Sequence, residues 1–201
     1  MATTTLRDLL IQRAARLQGR SALTAPDWGT LSYAQLRNRV EGVALGLLAT
    51  EAASAVFSST GTAWDWAAEL AAAASGLAWD PAGRAVPPEV LGGPRFNDEG
   101  GRGPYHAREH VVQASTPFSA VLNQGELMAR LRRLNVELGW DHDTEVPLPF
   151  ARLGHTPLRA ALWSALYAGA HAVLEAEKPT SHITRPRPSP AWSELPFLGL
   201  L

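Results

Sequence analysis

Apolar residues recur along this chain in two ways, at intervals of three or four residues in longer segments and as short unbroken runs between them. The first spacing is typical of amphipathic helices and the second of buried strands. Turn residues at 26–29 separate two short runs and predict a hairpin, and Gln35 three residues after Ser32 predicts a capping box. In order, the first half predicts a helix over 5–18, strands at 22–25 and 30–32, a helix from Ser32, a strand at 55–59, a helix over 63–74 and a strand at 77–79.

The second half repeats this alternation after a segment rich in glycine and proline, which predicts a surface loop over 82–104. The later patterns predict a helix over 126–138, a strand at 144–148, a helix that opens at Thr156-Pro157 and ends at Gly169, and a strand at 171–174. A strand, a helix and a strand in succession form a βαβ unit with a parallel strand pair. The predicted fold class is α/β, one layered parallel-sheet domain over residues 1–178, followed by a Pro-rich extension with an apolar tail over residues 179–201.

Composition narrows the classes of function. The 201 residues are 46% hydrophobic and 18% charged, which is typical of a folded, soluble domain large enough to bury a core. Lysine and arginine (18) nearly balance aspartate and glutamate (19), so no basic surface for nucleic acid is expected. The chain has no cysteine, and neither its N-terminus nor the run 63–79 is apolar enough for a signal peptide or a membrane span. We expect a cytoplasmic protein with no nucleic-acid or membrane partner.

Residues 31–36, LSYAQL, carry the most informative motif of the chain. They resemble the L-[ST]-Y-x-[EQ]-L signature near the start of the adenylate-forming enzymes, the superfamily of acyl-CoA synthetases and peptide-synthetase adenylation domains. Later segments follow in the order of that superfamily: 75–81 is similar to a strand exit, 121–127 to the helix start after the phosphate loop, and 146–174 to the next strand, helix and strand. The resemblance covers about residues 5–175 and implies a layered parallel-sheet subdomain like the first part of an acyl-CoA synthetase N-terminal domain.

The phosphate-binding loop of that superfamily is not recognisable in this chain. In residues 113–124, QASTPFSAVLNQ, Pro117 is kept, but Phe118 and Ser119 stand where lysine and glycine are usual, and the run contains no glycine. Asn123-Gln124 stands where threonine and histidine are usual. A phosphate cradle needs glycines so that backbone N–H groups converge on the anion, and it usually needs a lysine for its charge. The resemblance therefore implies an ancestry without the ATP chemistry, and we expect no cofactor.

Other parts that the resemblance would require for catalysis have no counterpart in the sequence. These are the adenine-binding segment, the ribose-binding aspartate, the hinge and the small C-terminal domain with its catalytic lysine. Adenylation depends on positioning and charge stabilisation, so we expect no catalytic residues. The hypothesis is a truncated, non-catalytic relative that acts as a binding, scaffold or regulatory module. The alternative is one half of a split acyl-activating ligase, and the expected assembly is a homodimer or a complex with a protein partner.

Arg152 and His155 are the polar residues best placed to bind a small ligand of the acyl type or a small anion. They flank Gly154 after the predicted strand at 144–148, and ligands of α/β folds bind beyond the carboxyl ends of strands. The histidine that follows the Pro-Leu-Pro strand in relatives falls near Ala151 or Arg152, with His155 displaced from it. Helix capping and surface exposure are the simpler interpretation of both side chains.

Two other patterns raise the question of a metal. His106 and His110 belong to HAREH, a match to H-x-x-E-H, in which two histidines on a helix bind zinc and Glu109 would act as the general base of a hydrolase. This short pattern arises easily by chance, so surface residues at a loop–helix junction are the favoured interpretation. Asp141-His142-Asp143 predicts a solvated turn before a strand rather than a metal site. We therefore expect no metal.

The C-terminal segment predicts self-association, because residues 192–201 contain six large apolar side chains after a spacer with three prolines. Such a segment needs cover, either on its own domain or on a second copy, and we favour a symmetric dimer. Light scattering should therefore give the mass of a dimer for the intact protein at micromolar concentration, and a lower mass after deletion of residues 191–201. A monomeric intact protein would contradict the dimer, and unchanged solubility and stability after the deletion would contradict the need for cover.

Overall fold

The predicted alternation of helices and strands is present in the structure. The computed structural model describes residues 5–49, 54–56, 63–75, 78–80, 122–149 and 156–175. The helices are α1 (Leu6–Leu17), α2 (Tyr33–Ala49), α3 (Ala63–Ala74), α4 (Gln124–Leu138) and α5 (Thr156–Ala168). The strands are β1 (Ser21–Ala25), β2 (Gly29–Ser32), β3 (Ser54–Val56), β4 (Ala78–Asp80), β5 (Glu145–Pro149) and β6 (His171–Glu175). The predicted loop at 82–104 and the C-terminal tail lie outside the described residues.

The described strands form two sheets. The larger has the order β2-β1-β6-β5, in which β1 is antiparallel to β2 and parallel to β6, and β6 is parallel to β5. The smaller is the parallel pair β3 and β4. The orders β3–α3–β4 and β5–α5–β6 confirm the predicted βαβ units, and the α/β class with them. The sequence patterns did not predict that β1 pairs with β6, which places the N-terminal hairpin beside the last described strand.

Local hydrogen bonds explain where several helices begin and end. Three helices open with a capping box, in which a side chain accepts from the backbone N–H three residues later and the later side chain accepts in return. The pairs are Thr5–Asp8, Ser32–Gln35 and Asn123–Glu126, of which the second was predicted. Helices α4 and α5 are followed by Gly139 (φ 63°) and Gly169 (φ 85°), both left-handed, and the latter confirms the predicted stop. Thr156, predicted as a cap, is instead the first residue of α5.

In the described part of the chain, the large sheet has one buried face and one partly exposed face, which we call the open face. Leu23, Ala172 and Val146 lie side by side on the buried face. Helices α1, α2 and α3 pack against one another, α2 also contacts β1 and β2, and α5 contacts both α4 and β6. On the opposite face Thr24 and Val173 are half-buried and the adjacent Pro147 is exposed. Parallel strands are usually covered on both faces, so an open face on this sheet is unusual.

Two side chains near the N-terminus tie the first helices to the junction of α5 and β6. The Tyr33 hydroxyl donates to Ala170 O at 2.6 Å, and the Arg13 guanidinium donates to Tyr167 O. Burial raises the pKa of Tyr33, so its phenol keeps the proton that this bond requires. Helix α1 and the start of α2 are therefore held against the last described βαβ unit by directed bonds as well as by apolar packing.

A buried ion pair links α3 to α5. Arg159 Nε and Nη2 donate to the two carboxylate oxygens of Glu69 at 3.1 and 2.6 Å, which is the bidentate geometry of a strong pair. Only 4% of the Glu69 side chain and 10% of the Arg159 side chain are exposed. Burial raises the pKa of Glu69, and the charge and hydrogen bonds of Arg159 act in the opposite direction. The pair thus joins the two βαβ units through their crossover helices.

Among the described strands, β5 lies at an edge of the large sheet. His171 N donates to Thr144 O at 2.9 Å. Backbone groups alternate in direction along a parallel strand, so the N–H and C=O groups of Val146 and Leu148, two and four residues after Thr144, also face β6. The backbone of Glu145, Pro147 and Pro149 therefore faces away from β6. Two of these three outward positions are prolines, which have no N–H to donate.

Arg159→Leu should destabilise the fold by about 3–5 kcal/mol near neutral pH, because it leaves a buried carboxylate without its cation. The pKa of Glu69 should rise further in this variant. A carboxyl with a raised folded-state pKa stabilises the fold when protonated; that contribution is present below its unfolded-state pKa and is lost as the pH rises through the folded-state pKa. The destabilisation should therefore be smaller at about pH 5 than at about pH 7. Urea unfolding at both pH values measures this.

Arg132→Leu is the matched control, because Arg132 is exposed on α4. It should change the free energy of unfolding by no more than about 0.5 kcal/mol, with no added dependence on pH. Equal unfolding of the two variants at both pH values would contradict a structural role of the pair.

Candidate functional site

The residues that the sequence favoured for function lie mostly outside the described part of the structure. Arg152 and His155 fall between β5 and α5 in such a gap, and the H-x-x-E-H match at 106–110 falls in another. Of the stretch that aligns with the phosphate loop, the structure describes only Leu122, Asn123 and Gln124. The role proposed for Arg152 and His155 therefore stays a prediction, and the site is built from the residues at the start of α4 and at the ends of the large sheet.

Gln124 is the most constrained polar side chain at the start of α4. It is 3% exposed, and its amide is used at both ends. Oε1 accepts from Leu6 N at 3.0 Å, at the first turn of α1, and Nε2 donates to Ala73 O at 2.8 Å, in the last turn of α3. One side chain thus joins three helices, and both of its polar atoms have a structural partner.

The side-chain oxygen of Asn123 also has a structural partner. Its Oδ1 accepts from Glu126 N at 2.9 Å, and Asn123 N donates to the Glu126 carboxylate, also at 2.9 Å. A helix N-terminus binds anions through its unpaired N–H groups and its dipole. Here a carboxylate of the chain already lies at that end, and its charge opposes the approach of a phosphate. The local sequence therefore builds a helix cap at the point where the resemblance implies a nucleotide contact.

A cavity of about 310 Å³ lies at the amino ends of β5 and β6, beside the start of β1. It is lined by residues 19–21, residues 142–145 and His171. Arg20 and Asp143 form an ion pair across it, and both side chains are about half exposed or more. Ligands of open α/β sheets usually bind at the carboxyl ends of the strands, so this cavity lies at the opposite end from Arg152 and His155.

His171 connects this cavity to the open face of the sheet. Its Nε2 lies 2.8 Å from Thr24 Oγ1 and its Nδ1 lies 3.4 Å from the Glu145 carboxylate. Thr24 Oγ1 lies 2.9 Å from Thr30 Oγ1, so the contacts cross all four strands. Sequence reasoning did not single out these residues. The available signal was a histidine and a glutamate at the first positions of two strands expected to pair in parallel.

The turn at 141–144 was predicted correctly as solvated. Asp141 Oδ1 accepts from Thr144 Oγ1 at 2.9 Å and from Asp143 N at 3.0 Å, and these side chains are exposed or half-exposed. The hydrogen bonds from Thr144 and then from the Asp143 backbone lower the pKa of Asp141. The Asp141 carboxylate therefore stabilises the turn that leads into β5, and the turn is of the Asx type.

The tryptophans of the described helices have a packing role. Trp163 is buried in the core. Trp64 is only partly buried and meets Trp28 edge to face, with ring centroids 4.7 Å apart. The Arg39 guanidinium lies over both rings, 4.7 Å from the centroid of Trp28 and 5.4 Å from that of Trp64. This cluster fastens the β1–β2 turn to α2 and α3 through cation–π and aromatic contacts.

Within the described ranges, no three His, Asp or Glu side chains are grouped so that they could hold a metal ion. The same ranges contain no helix with the length and apolar character needed to cross a bilayer. These findings concern only the residues described, and the predicted histidine pair at 106–110 lies outside them.

Solved structures of adenylate-forming enzymes share this fold. A putative long-chain-fatty-acid CoA ligase from Rhodopseudomonas palustris is 16% identical with a TM-score of 0.58, over 87% of this chain and 57% of that chain. An artificially fused adenylation–PCP di-domain, NpsA-ThdA from Klebsiella oxytoca, is 12% identical with a TM-score of 0.59, over 87% and 39%. A fatty acyl-adenylate ligase from L. pneumophila, solved with acyl adenylate and pyrophosphate, is 12% identical with a TM-score of 0.58, over 86% and 40%.

These matches define the class of fold: that of the N-terminal subdomain of adenylate-forming ligases. The predicted resemblance is confirmed at this level. The chain spans between 39% and 57% of the length of the three relatives. No family model and no curated protein matches the sequence.

Gln124→Leu should lower the free energy of unfolding by about 1–3 kcal/mol, because it removes the side-chain partner of the buried Leu6 N–H together with the bond to Ala73. Gln35→Leu is the control, since Gln35 is exposed and caps only its own helix. It should cost less than about 1 kcal/mol. Urea unfolding compares the two, and equal costs would contradict the assignment of Gln124 as the link between α1, α3 and α4.

Proposed function

We propose that this chain is a non-catalytic relative of the adenylate-forming ligases that acts as a binding, scaffold or regulatory module. The observation that carries the proposal is the state of Asn123 and Gln124. The side-chain oxygen of Asn123 caps α4, and the buried amide of Gln124 links helices through both of its polar atoms. Gln124 cannot contact a nucleotide without breaking the structure that it supports.

Charge supports the same proposal. The carboxylate of Glu126 lies at the N-terminus of α4, bonded to Asn123 N, where a phosphate would need a free N–H group and a positive field. The sequence of residues 113–124 supplies neither glycine nor lysine. Transfer of a nucleotidyl group depends on fixed positive charge around the phosphates, so a chain that lacks it has little means of lowering the barrier.

The proposed module would keep a small ligand of the acyl type near Arg152 and His155, which follow the carboxyl end of β5. We propose that it is cytoplasmic and works as a homodimer or with a protein partner. The open face of the large sheet favours such an assembly, because a parallel sheet is normally covered on both faces. These points go beyond the fold and rest on the tests below.

One half of a split acyl-activating ligase is the second candidate. The matches leave between 43% and 61% of each of the three relatives without a counterpart here, taking the covered shares of 57%, 40% and 39% from the whole. A second chain could supply that remainder and lie against the open face of the sheet. In that case the acyl and nucleotide sites would be shared between chains.

ATP–pyrophosphate exchange distinguishes these functions. We expect no exchange by the purified chain above a no-enzyme blank with a panel of acyl substrates, and no heat of ATP binding by calorimetry. An active adenylate-forming enzyme serves as the positive control. Exchange by this chain alone would overturn the proposal of a non-catalytic module. Exchange that appears only when a co-encoded chain is added would support the split ligase instead.

A further inference from the structure

Three side chains on the open face of the large sheet are arranged in a row as a nucleophile, a base and a carboxylate that orients the base. Thr24 Oγ1 lies 2.8 Å from His171 Nε2, and the Glu145 carboxylate lies 3.4 Å from Nδ1 of the same ring. The second distance is long for a hydrogen bond, as often occurs before substrate binds. The combination is recognised by these roles and not by positions in the sequence.

The strand register produces this arrangement. Glu145 and His171 are paired directly across the parallel strands β5 and β6, so their side chains leave the sheet on the same face. Thr24 pairs with Val173, two residues beyond His171, and is therefore the diagonal neighbour of the imidazole on that face. Three separate strands hold the three groups, and the backbone ladder fixes their spacing.

The contacts assign the proton positions. A carboxylate accepts only, so Glu145 selects the tautomer of His171 that carries its proton on Nδ1. Nε2 is then an acceptor and takes the hydrogen bond from the Thr24 hydroxyl. Thr30 Oγ1, 2.9 Å from Thr24 Oγ1, is left to donate to the threonine oxygen. The hydroxyl proton of Thr24 therefore already points at a base.

Two members of this set line the cavity of about 310 Å³: His171 and Glu145. This volume is at the lower end of the range for ligand sites. Thr24 is half-buried and lies next to His171, outside the lining itself. Arg20 lines the same cavity and supplies a positive charge there, although it is paired with Asp143. The size and the polar lining suit a short acyl ester better than a long-chain one.

We infer that Thr24, His171 and Glu145 form an acyl-transfer site that accepts short, activated acyl esters. Thr24 Oγ1 attacks the ester carbonyl while its proton moves to His171 Nε2. The bond from the carbonyl carbon to the leaving oxygen breaks, and that oxygen takes the proton from His171 and departs as the alcohol. Water then attacks the acyl–threonine ester with the same base, which releases the carboxylic acid and restores the Thr24 hydroxyl. Glu145 is a positioning residue in this scheme.

The test is to incubate the intact chain with p-nitrophenyl acetate and to map the acetyl group by mass spectrometry of its peptides. We expect acetyl–Thr24 in the native protein and none at this position in Thr24→Val, which keeps the shape of the side chain. His171→Gln should slow the formation of acetyl–Thr24 by about a hundredfold or more. Background acetylation of lysine side chains should be low, because Lys178 is the only lysine in the chain.

Further variants separate chemistry from folding. Thr24→Ser should keep the acetylation, so it decides the matter if Thr24→Val does not fold. Glu145→Gln should lower kcat with little change in KM, and Glu145→Asp should restore part of the loss, which a merely structural role would not do. Arg132→Leu is the control: Arg132 is exposed on α4 and does not line the cavity, so acetyl–Thr24 should still form.

Two results would overturn the inference. One is acetyl only on other groups, such as Lys178 or the N-terminal amine, with nitrophenol release unchanged in Thr24→Val. The other is acetylation of Thr24 at the same rate in native protein and in His171→Gln, since the hydroxyl would then react without its base. Both outcomes are independent of ATP–pyrophosphate exchange, so this site and the proposed absence of adenylation can fail separately. Acetylation of Thr24 would mean that the module, although it does not adenylate, has a catalytic site of another kind.

Discussion

The bidentate pair of Glu69 and Arg159 is the interaction on which the arrangement of the fold most depends. It lies between the crossover helices of the two βαβ units, and 90 residues of chain separate its partners. A buried pair is a poor source of net stability, but breaking it leaves a buried charge alone. The pair therefore favours the arrangement of α3 and α5 in which both charges are met. The cap of α4 and the sheet lie around helices α3 and α5, whose relative position this pair helps to define.

If the chain is the non-catalytic module proposed above, Gln124 shows how a fold can be kept after a chemistry is lost. The start of α4 keeps its place in the architecture of adenylate-forming ligases, yet its side chains serve the helices around it. A residue that holds three helices together cannot be exchanged without loss of stability, whereas a loop that contacts only a ligand can change once the ligand is no longer used. This difference explains how the fold can remain recognisable at 12–16% identity while the phosphate loop does not.

The sequence predicted features formed by residues close together in the chain and missed contacts between residues far apart in it. The helix over 63–74, the capping box of Ser32 and Gln35 and the stop at Gly169 were correct, since each depends on residues within a few positions of one another. The pairing of β1 with β6, the bond from Leu6 to Gln124 and the contact of Thr24 with His171 join residues 118–149 positions apart, which periodicity cannot reveal. For the site, the solvated turn at 141–144 was foreseen. Arg152 and His155 fall outside the described residues, and the side chains on the open face depend on a strand register that only the structure supplies.

The two prolines of β5 determine how this sheet can meet other molecules. A strand edge with regular N–H groups is a template on which another chain can lay its own strand. Pro147 and Pro149 remove alternate donors from that edge, so a foreign strand would find a broken ladder there. At the β5 edge a partner would therefore have to recognise side chains rather than backbone. That requirement makes association at this edge selective, because side chains differ between proteins and backbone does not.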